Sequence, residues 1–153
     1  MLKIELECEE GVVQPIYTDA NSATFDFMAK SFKKLFKGNK EVPLNKKLQQ
    51  SISEGYLTLR GFERVLIGTG LSITVPQGYV LQVLSKKGGA LKKGLIVADS
   101  PSLIDSNHKG EIGIILANNT PFLSRVQLGD VIAQGLIVKF QHALWTPVGG
   151  IEF

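Results

Sequence analysis

An all-β fold is the class this sequence predicts, and three observations predict it. Short runs of β-branched and aliphatic residues recur along the chain at regular spacing. Glycine- and proline-containing turns, such as Pro76-Gln77-Gly78, separate them. No apolar run approaches the roughly 20 residues that cross a bilayer, so a membrane protein built on helices is not expected. The chain has 153 residues, 44% of them hydrophobic, enough to fill the core of one domain spanning 1–153.

Taken in order, LKIELE alternates and reads as an edge strand. RVLIGTGLSITV continues in β-branched residues around a central glycine. PQGY turns it into YVLQVLS. The small, glycine-rich KKGGALKKG follows, and then GLIVADSP, EIGIILANNT and QLGDVIAQGLIVKF close the series. Strands this short and this evenly spaced suit a β-barrel or sandwich. There is no internal repeat and no low-complexity tract.

One segment departs from that pattern. Residues 29–50, AKSFKKLFKGNKEVPLNKKLQQ, hold Lys30, Lys33, Lys34, Lys37, Lys40, Lys46 and Lys47. Phe32, Leu35 and Phe36 fall at helical spacing and predict a short amphipathic helix, with Gly38-Asn39 ending it. The lysine-rich insertion is either a solvated surface excursion or a docking site for an acidic partner or a nucleic acid.

Charge and composition narrow the chemistry. The net charge of +3 permits phosphate contacts without requiring them. Cys8 is the single cysteine, which excludes an intrachain disulfide and a multi-thiolate metal site, and agrees with a reducing compartment such as the cytoplasm. The acidic start MLKIELECEE lacks the basic and apolar blocks of a secretory signal. His108 and His142 have no metal-site spacing. A GxSxG elbow and a Walker-type loop are both missing. Lys86-Lys87-Gly88-Gly89 is the nearest approach to a phosphate cradle; the alternative is a solvated basic turn. Asp105 follows Leu103-Ile104 and precedes a turn ending at Gly110. There it is either a general base or the cap of its own turn.

The order of segments resembles the trimeric dUTPase family. PIYTDANSATFDF is similar to the first family motif, with Tyr17, Ser22-Ala23 and Asp26 in place. LIGTGLSITVPQGYVLQV resembles the strands leading to the second. ALKKGLIVADSPSLIDSNHKGEIGIIL resembles the third motif and its preceding helix. PFLSRVQLGDVIAQGLIV resembles the fourth, with Gly129-Asp130 and Ala133-Gln134 matched, and Trp145 stands where many members carry one. The resemblance implies a dUTPase-like, jelly-roll-related β-barrel with one short helix, assembled as a homotrimer whose active sites combine subunits. It implies hydrolysis of dUTP to dUMP and pyrophosphate with Mg²⁺. Asp105 would activate water and contact the sugar, Asp26 would hold the hydrated metal through water, and Gln134 would contact phosphate. The hairpin backbone around Leu103 and Ile104 would read uracil.

The same comparison marks departures. The second motif, Pro-Arg-Ser-Gly in the family, reads Ser85-Lys86-Lys87-Gly88 here. Lys86 keeps the charge but not the two-point grip of arginine, and Lys87 replaces a small hydroxyl. His108 stands for the tyrosine that packs on deoxyribose, Asn107 for an acidic residue, Ser102 for glycine and Asp99 for asparagine. The arginine- and glycine-rich fifth motif is replaced by TPVGGIEF. The expectation is therefore a nucleotide diphosphohydrolase. Its alternative is a catalytically impaired trimer of the same fold with a nucleotide-sensing, regulatory or structural role, for instance in a virion.

Overall fold

The computed structural model describes residues 1–150, so the last residues of TPVGGIEF lie outside the described part. Strand β1 (Glu5–Cys8) is followed by β2 (Phe25–Met28), β3 (Ser31–Lys37), β4 (Lys40–Glu41) and helix α1 (Lys46–Ser53). Next come β5 (Tyr56–Leu59), β6 (Glu63–Gly68), β7 (Leu71–Thr74), β8 (Tyr79–Leu84) and helix α2 (Lys87–Lys93). The chain continues through β9 (Leu95–Val97), β10 (Ser102–Ile104), β11 (Gly113–Asn118), β12 (Ser124–Gln127) and β13 (Val131–Lys139).

The strands form four sheets, ordered β1-β7, β10-β8-β13-β2, β4-β3-β6-β11-β9 and β12-β5. They wrap one core without closing into a continuous barrel. Alternation does the sorting: Phe25 and Phe27 point in while Asp26 and Met28 point out, and Leu81 and Val83 are buried between half-exposed neighbours. Phe27, Leu59, Ile67, Leu81, Ile112 and Leu116 anchor the interior at 0–1% exposure, each contributing about 1.5–3 kcal/mol by burial. Sharp reversals fall on glycines with positive φ, among them Gly70 at +70° and Gly78 at +85°. Asn118 is fully buried and is satisfied: its Nδ2 donates to the carbonyls of Leu59, Arg60 and Phe122.

The strands expected from RVLIGTGLSITV, YVLQVLS, GLIVADSP, EIGIILANNT and the C-terminal run are present. The helix expected across Phe32–Phe36 is not: this stretch is β3. The misleading period has a physical cause. Between Phe32 and Lys34 the register of β3 against β6 shifts by one residue, a β-bulge. Phe32 pairs with Ile67 and Leu35 with Val65, two residues apart on β6 and both buried. The bulge stretches a two-residue step into three, which imitates a helical repeat. Nor does the segment hang free of the fold, because β3 pairs with β6 from Ser31 to Lys37. Gly38-Asn39 turns β3 into β4, and the Arg64 guanidinium donates to the Gly38 carbonyl. A helix does form further on, where Asn45 Oδ1 accepts from Leu48 N at 3.0 Å and caps α1. Leu48 and Ile52 dock it on the core. The second helix, α2, contains the ALKK residues where the family resemblance places one.

Candidate functional site

Half of the expected site assembles around β2 and β13. Inward Phe25 and Phe27 force Asp26 outward. The ladder then places Gln134 directly opposite Asp26, with Leu84 on the other side of Gln134. The Gln134 carboxamide is engaged at both ends: Oε1 accepts from Thr24 Oγ1 at 2.9 Å, and Nε2 donates to the Ser85 carbonyl at 2.9 Å. This fastens the exit of β8 to the start of β2. Ser85 Oγ in turn accepts from Val97 N at 2.8 Å. Held this way, Lys86 occupies the N-cap position of α2 and brings Nζ to 2.9 Å from Asp26 Oδ1. Gly135, next to Gln134, has to be small: a Cβ there would lie 2.6 Å from the Phe25 ring and 2.9 Å from that of Phe27.

Lys87 and Gly88 are exposed on the first turn of α2. Lys86 and Gly88, with Lys92, Lys93 and Asp130, line a groove of about 280 Å³. Lys93 Nζ lies 3.7 Å from Asp130 Oδ2. Three ammonium groups beside a glycine-rich turn favour an anion. Thr24 and Lys92-Lys93 belong to this half although the sequence reading passed over them. The available signals were the two-residue step from Thr24, just before β2, to Asp26, and the spacing of Lys92-Lys93 from Gly88-Gly89 on one short helix.

The other half lies on β10. Among the described residues that strand pairs only with β8, so its outer edge offers free backbone groups. Ile104 is buried and anchors the hairpin, whereas Leu103 is 63% exposed. Asp105 is exposed, and its Oδ1 accepts from Asn107 N at 2.9 Å, so it does cap its own turn. His108 N donates to the Asp105 carbonyl at 3.2 Å. The His108 ring turns toward β1 and β7, lining a groove of about 540 Å³ with Glu5, Glu7 and Ser72. Its Nε2 is cut off from solvent with no hydrogen-bond partner among the described residues. Asp99 is exposed in the loop before β10.

One copy of the chain does not bring the halves together. Ser102 pairs with Val83 and Ile104 with Leu81, so Asp105 lies toward the start of β8 while Lys86 lies beyond its end. Six residues of extended strand separate the two levels, roughly 20 Å at about 3.3 Å each.

The dUTPase family profile matches residues 51–152. The chain is 44% identical over 82 residues to a deoxyuridine 5'-triphosphate nucleotidohydrolase of Hydrogenobaculum sp. (strain Y04AAS1), covering 54% of this chain and 57% of that one. It is 42% identical over 95 residues to the protein of that name from Chlamydia muridarum, covering 62% and 65%. The matched stretch thus spans about three-fifths of the length of these curated relatives. In fold it is similar to the Staphylococcus bacteriophage 80alpha dUTPase, with a TM-score of 0.72 at 17% identity over 99% of both chains. It is similar also to the dUTPase from phage phi11 of S. aureus, with a TM-score of 0.70 at 17% identity over 99% of both. With a family profile matched across two-thirds of its residues, from the end of α1 through β13, the chain belongs to the dUTPase family.

Proposed function

We propose that the protein hydrolyses dUTP to dUMP and pyrophosphate as a homotrimer. Each site would join the Asp105 hairpin of one copy to the Asp26–Lys86–Gln134 cluster of another. The observation that carries this reading is that one copy holds Asp105 toward the start of β8 and the Asp26–Lys86–Gln134 cluster beyond its end. The exposed side chains of Leu144, Trp145 and Val148, at 86–105%, offer apolar area for a neighbouring copy to cover.

In this arrangement Asp105 orients a water and takes its proton, a role typically worth about 10²–10⁴-fold. Asn107 N holds one carboxylate oxygen, which fixes the group's direction. Lys86 and Lys87 bring positive charge to the phosphates, with Gly88 allowing close approach. Gln134 holds the strand exit that carries Lys86, and in this reading it also contacts phosphate. The free edge of β10 at Leu103 and Ile104 offers backbone groups to uracil, and a wrong exocyclic group there leaves polar atoms unpaired. Asp99, in the loop before β10, and His108, in the turn after it, would flank that hairpin at its two ends.

The donor set suits Mg²⁺ bound through water. Among the described residues no three His, Cys, Asp or Glu side chains cluster as a dehydrated metal site. A single exposed carboxylate, Asp26, is sufficient for an ion that keeps its waters and sits on the triphosphate. When bound, Mg²⁺ supplies charge neutralisation on the phosphate chain. The setting this reading implies is the cytoplasm of a cell or of an infected host. No described helix is long and apolar enough to cross a membrane.

The test is pyrophosphate release from a panel of dNTPs and NTPs with Mg²⁺. The expected result is turnover of dUTP, lowered at least about 100-fold by Asp105→Asn. No turnover of any nucleotide by an intact trimer overturns the reading. The ion pair between Lys86 and Asp26 favours one second reading, since each group already has a partner: a trimer that binds the nucleotide without cleaving it. Saturable dUTP binding without pyrophosphate release distinguishes that case.

A further inference from the structure

The turn from Asp105 to Gly110 is held mainly from its two ends. Upstream, Ile104 is buried and β10 pairs with β8. Within the turn the backbone bonds are local, with Asn107 N and His108 N both donating back to Asp105. Downstream, Ile112 is fully buried. Its N–H donates to the Leu71 carbonyl at 2.8 Å, and its carbonyl accepts from Thr69 N and Thr69 Oγ1. Glu111, just before it, sends its carboxylate back into the fold, toward the turn between β6 and β7.

Three features receive that carboxylate. Gly70, at φ +70°, turns its N–H onto Glu111 Oε2 at 2.7 Å, a bond strengthened by the charge of its acceptor. Gly68 leaves the room: a Cβ there would lie 2.7 Å from Glu111 Oε2 and 2.6 Å from Lys33 Cε. Lys33 brings Nζ to 3.3 Å from Glu111 Oε1. The origin of that last contact is the bulge in β3. The register passes from Phe32–Ile67 to Lys34–Leu66, so Lys33 is the extra residue with no partner on β6. Bulges beside active sites re-aim a side chain in this way. With Lys33 44% exposed, the ion pair alone holds little. The Gly70 bond is better sheltered: the Glu111 side chain is 25% exposed, and Ser31 Oγ beside the same space is cut off from solvent.

We propose that Glu111 is a positioning residue for Asp105: seated on the Gly70 N–H and on the bulge residue Lys33, it fixes the downstream end of the hairpin and with it the direction of the Asp105 carboxylate. The proposal rests on the catalytic reading of Asp105 given above. A misplacement of about 1 Å at a reacting group can cost about 100-fold in rate. The experiment joins dUTP kinetics of the intact protein with Mg²⁺ to amide hydrogen exchange on the same variants. Glu111→Ala should lower kcat at least about 10-fold and leave KM within about 3-fold, because the phosphate-binding half is untouched. Glu111→Gln still offers an oxygen to Gly70 N, so kcat should stay within about 3-fold of wild type. Adding Lys33→Met to Glu111→Ala should lower kcat no further, since Lys33 acts through Glu111. In Glu111→Ala the amides of Asn107 and His108 should exchange about 10-fold faster, with those of β8 unchanged. Wild-type kcat in Glu111→Ala overturns the proposal, as does a Gln variant as slow as the Ala variant, or an equal rise in exchange throughout the sheets. Further loss in the double variant overturns the part assigned to Lys33. Should Glu111→Ala fail to assemble, Glu111→Asp, one methylene short of Gly70, decides in its place, and wild-type kcat there overturns the proposal. No turnover by the wild type overturns the catalytic reading instead, and the exchange measurement then decides whether Glu111 holds the hairpin.

Discussion

The Lys86 ammonium lies 2.9 Å from Asp26 Oδ1, tying the start of α2 to β2 across the intervening β13. With side chains 34% and 47% exposed, the pair contributes only about 0.2–1 kcal/mol to stability. Its importance is positional. It holds the cation of the altered second motif beside the carboxylate assigned to the metal. Lys86→Gln should therefore lower kcat/KM for dUTP at least about 10-fold while moving Tm by no more than about 2–4 °C. Lys86→Arg, which restores planar two-point contact with phosphate, should lower KM. Steady-state kinetics beside a thermal melt checks both. A large Tm loss with unchanged kinetics would make the residue purely structural.

The proposed sharing of each site between copies makes a prediction about mixtures. Asp105→Asn and Lys86→Gln damage different halves, which lie far apart on one chain. Homotrimers of either variant should be nearly inactive. Trimers refolded from an equal mixture should recover about a quarter of wild-type activity, because a site with both halves intact then forms by chance. No recovery would place the whole site on one copy.

Gly135 links the core to the cluster. A methyl group there would press on the rings of Phe25 and Phe27, which flank Asp26 on β2. Gly135→Ala should cost about 1–3 kcal/mol by overpacking. Activity should fall further than stability alone accounts for, because the strand carrying Asp26 has to move. Denaturant melts and dUTP turnover on the same preparation separate the two effects.

The strand assignment of the basic segment is testable by stability. Leu35 is 2% exposed, so Leu35→Ala should destabilise by about 2–5 kcal/mol. Lys34→Ala, at an exposed position, should stay within about 0.5 kcal/mol. Equal small effects at both sites would return the segment to a solvated excursion.

These residues also show where the sequence was legible. Alternation and turn residues located β6, β7, β8, β11 and β13, because a strand with one buried face has to alternate and a sharp reversal needs a residue free of Cβ clashes. The same rule failed at Phe32 and Leu35. A bulge is fixed by pairing with β6, a partner distant in sequence, and it changes the local period without any sign in composition. The carboxylates and cations of the candidate site were legible as residue types, because Asp105, Asp26 and Lys86 stand within ordered motifs. Their partners were not. That Gln134 clamps Ser85 and Thr24, or that His108 turns toward β1, depends on which strands lie side by side.

By itself, then, the sequence determined the all-β class, its turns and the motif order that marks the family, since these follow from local side-chain chemistry. Only the tertiary structure decided that the basic segment is a bulged strand rather than a helix, that Lys86 meets Asp26, and that Asp105 stands at the far end of β8 from both. Those are relations between residues distant along the chain, set by ladder register and core packing, which no local pattern of residues encodes.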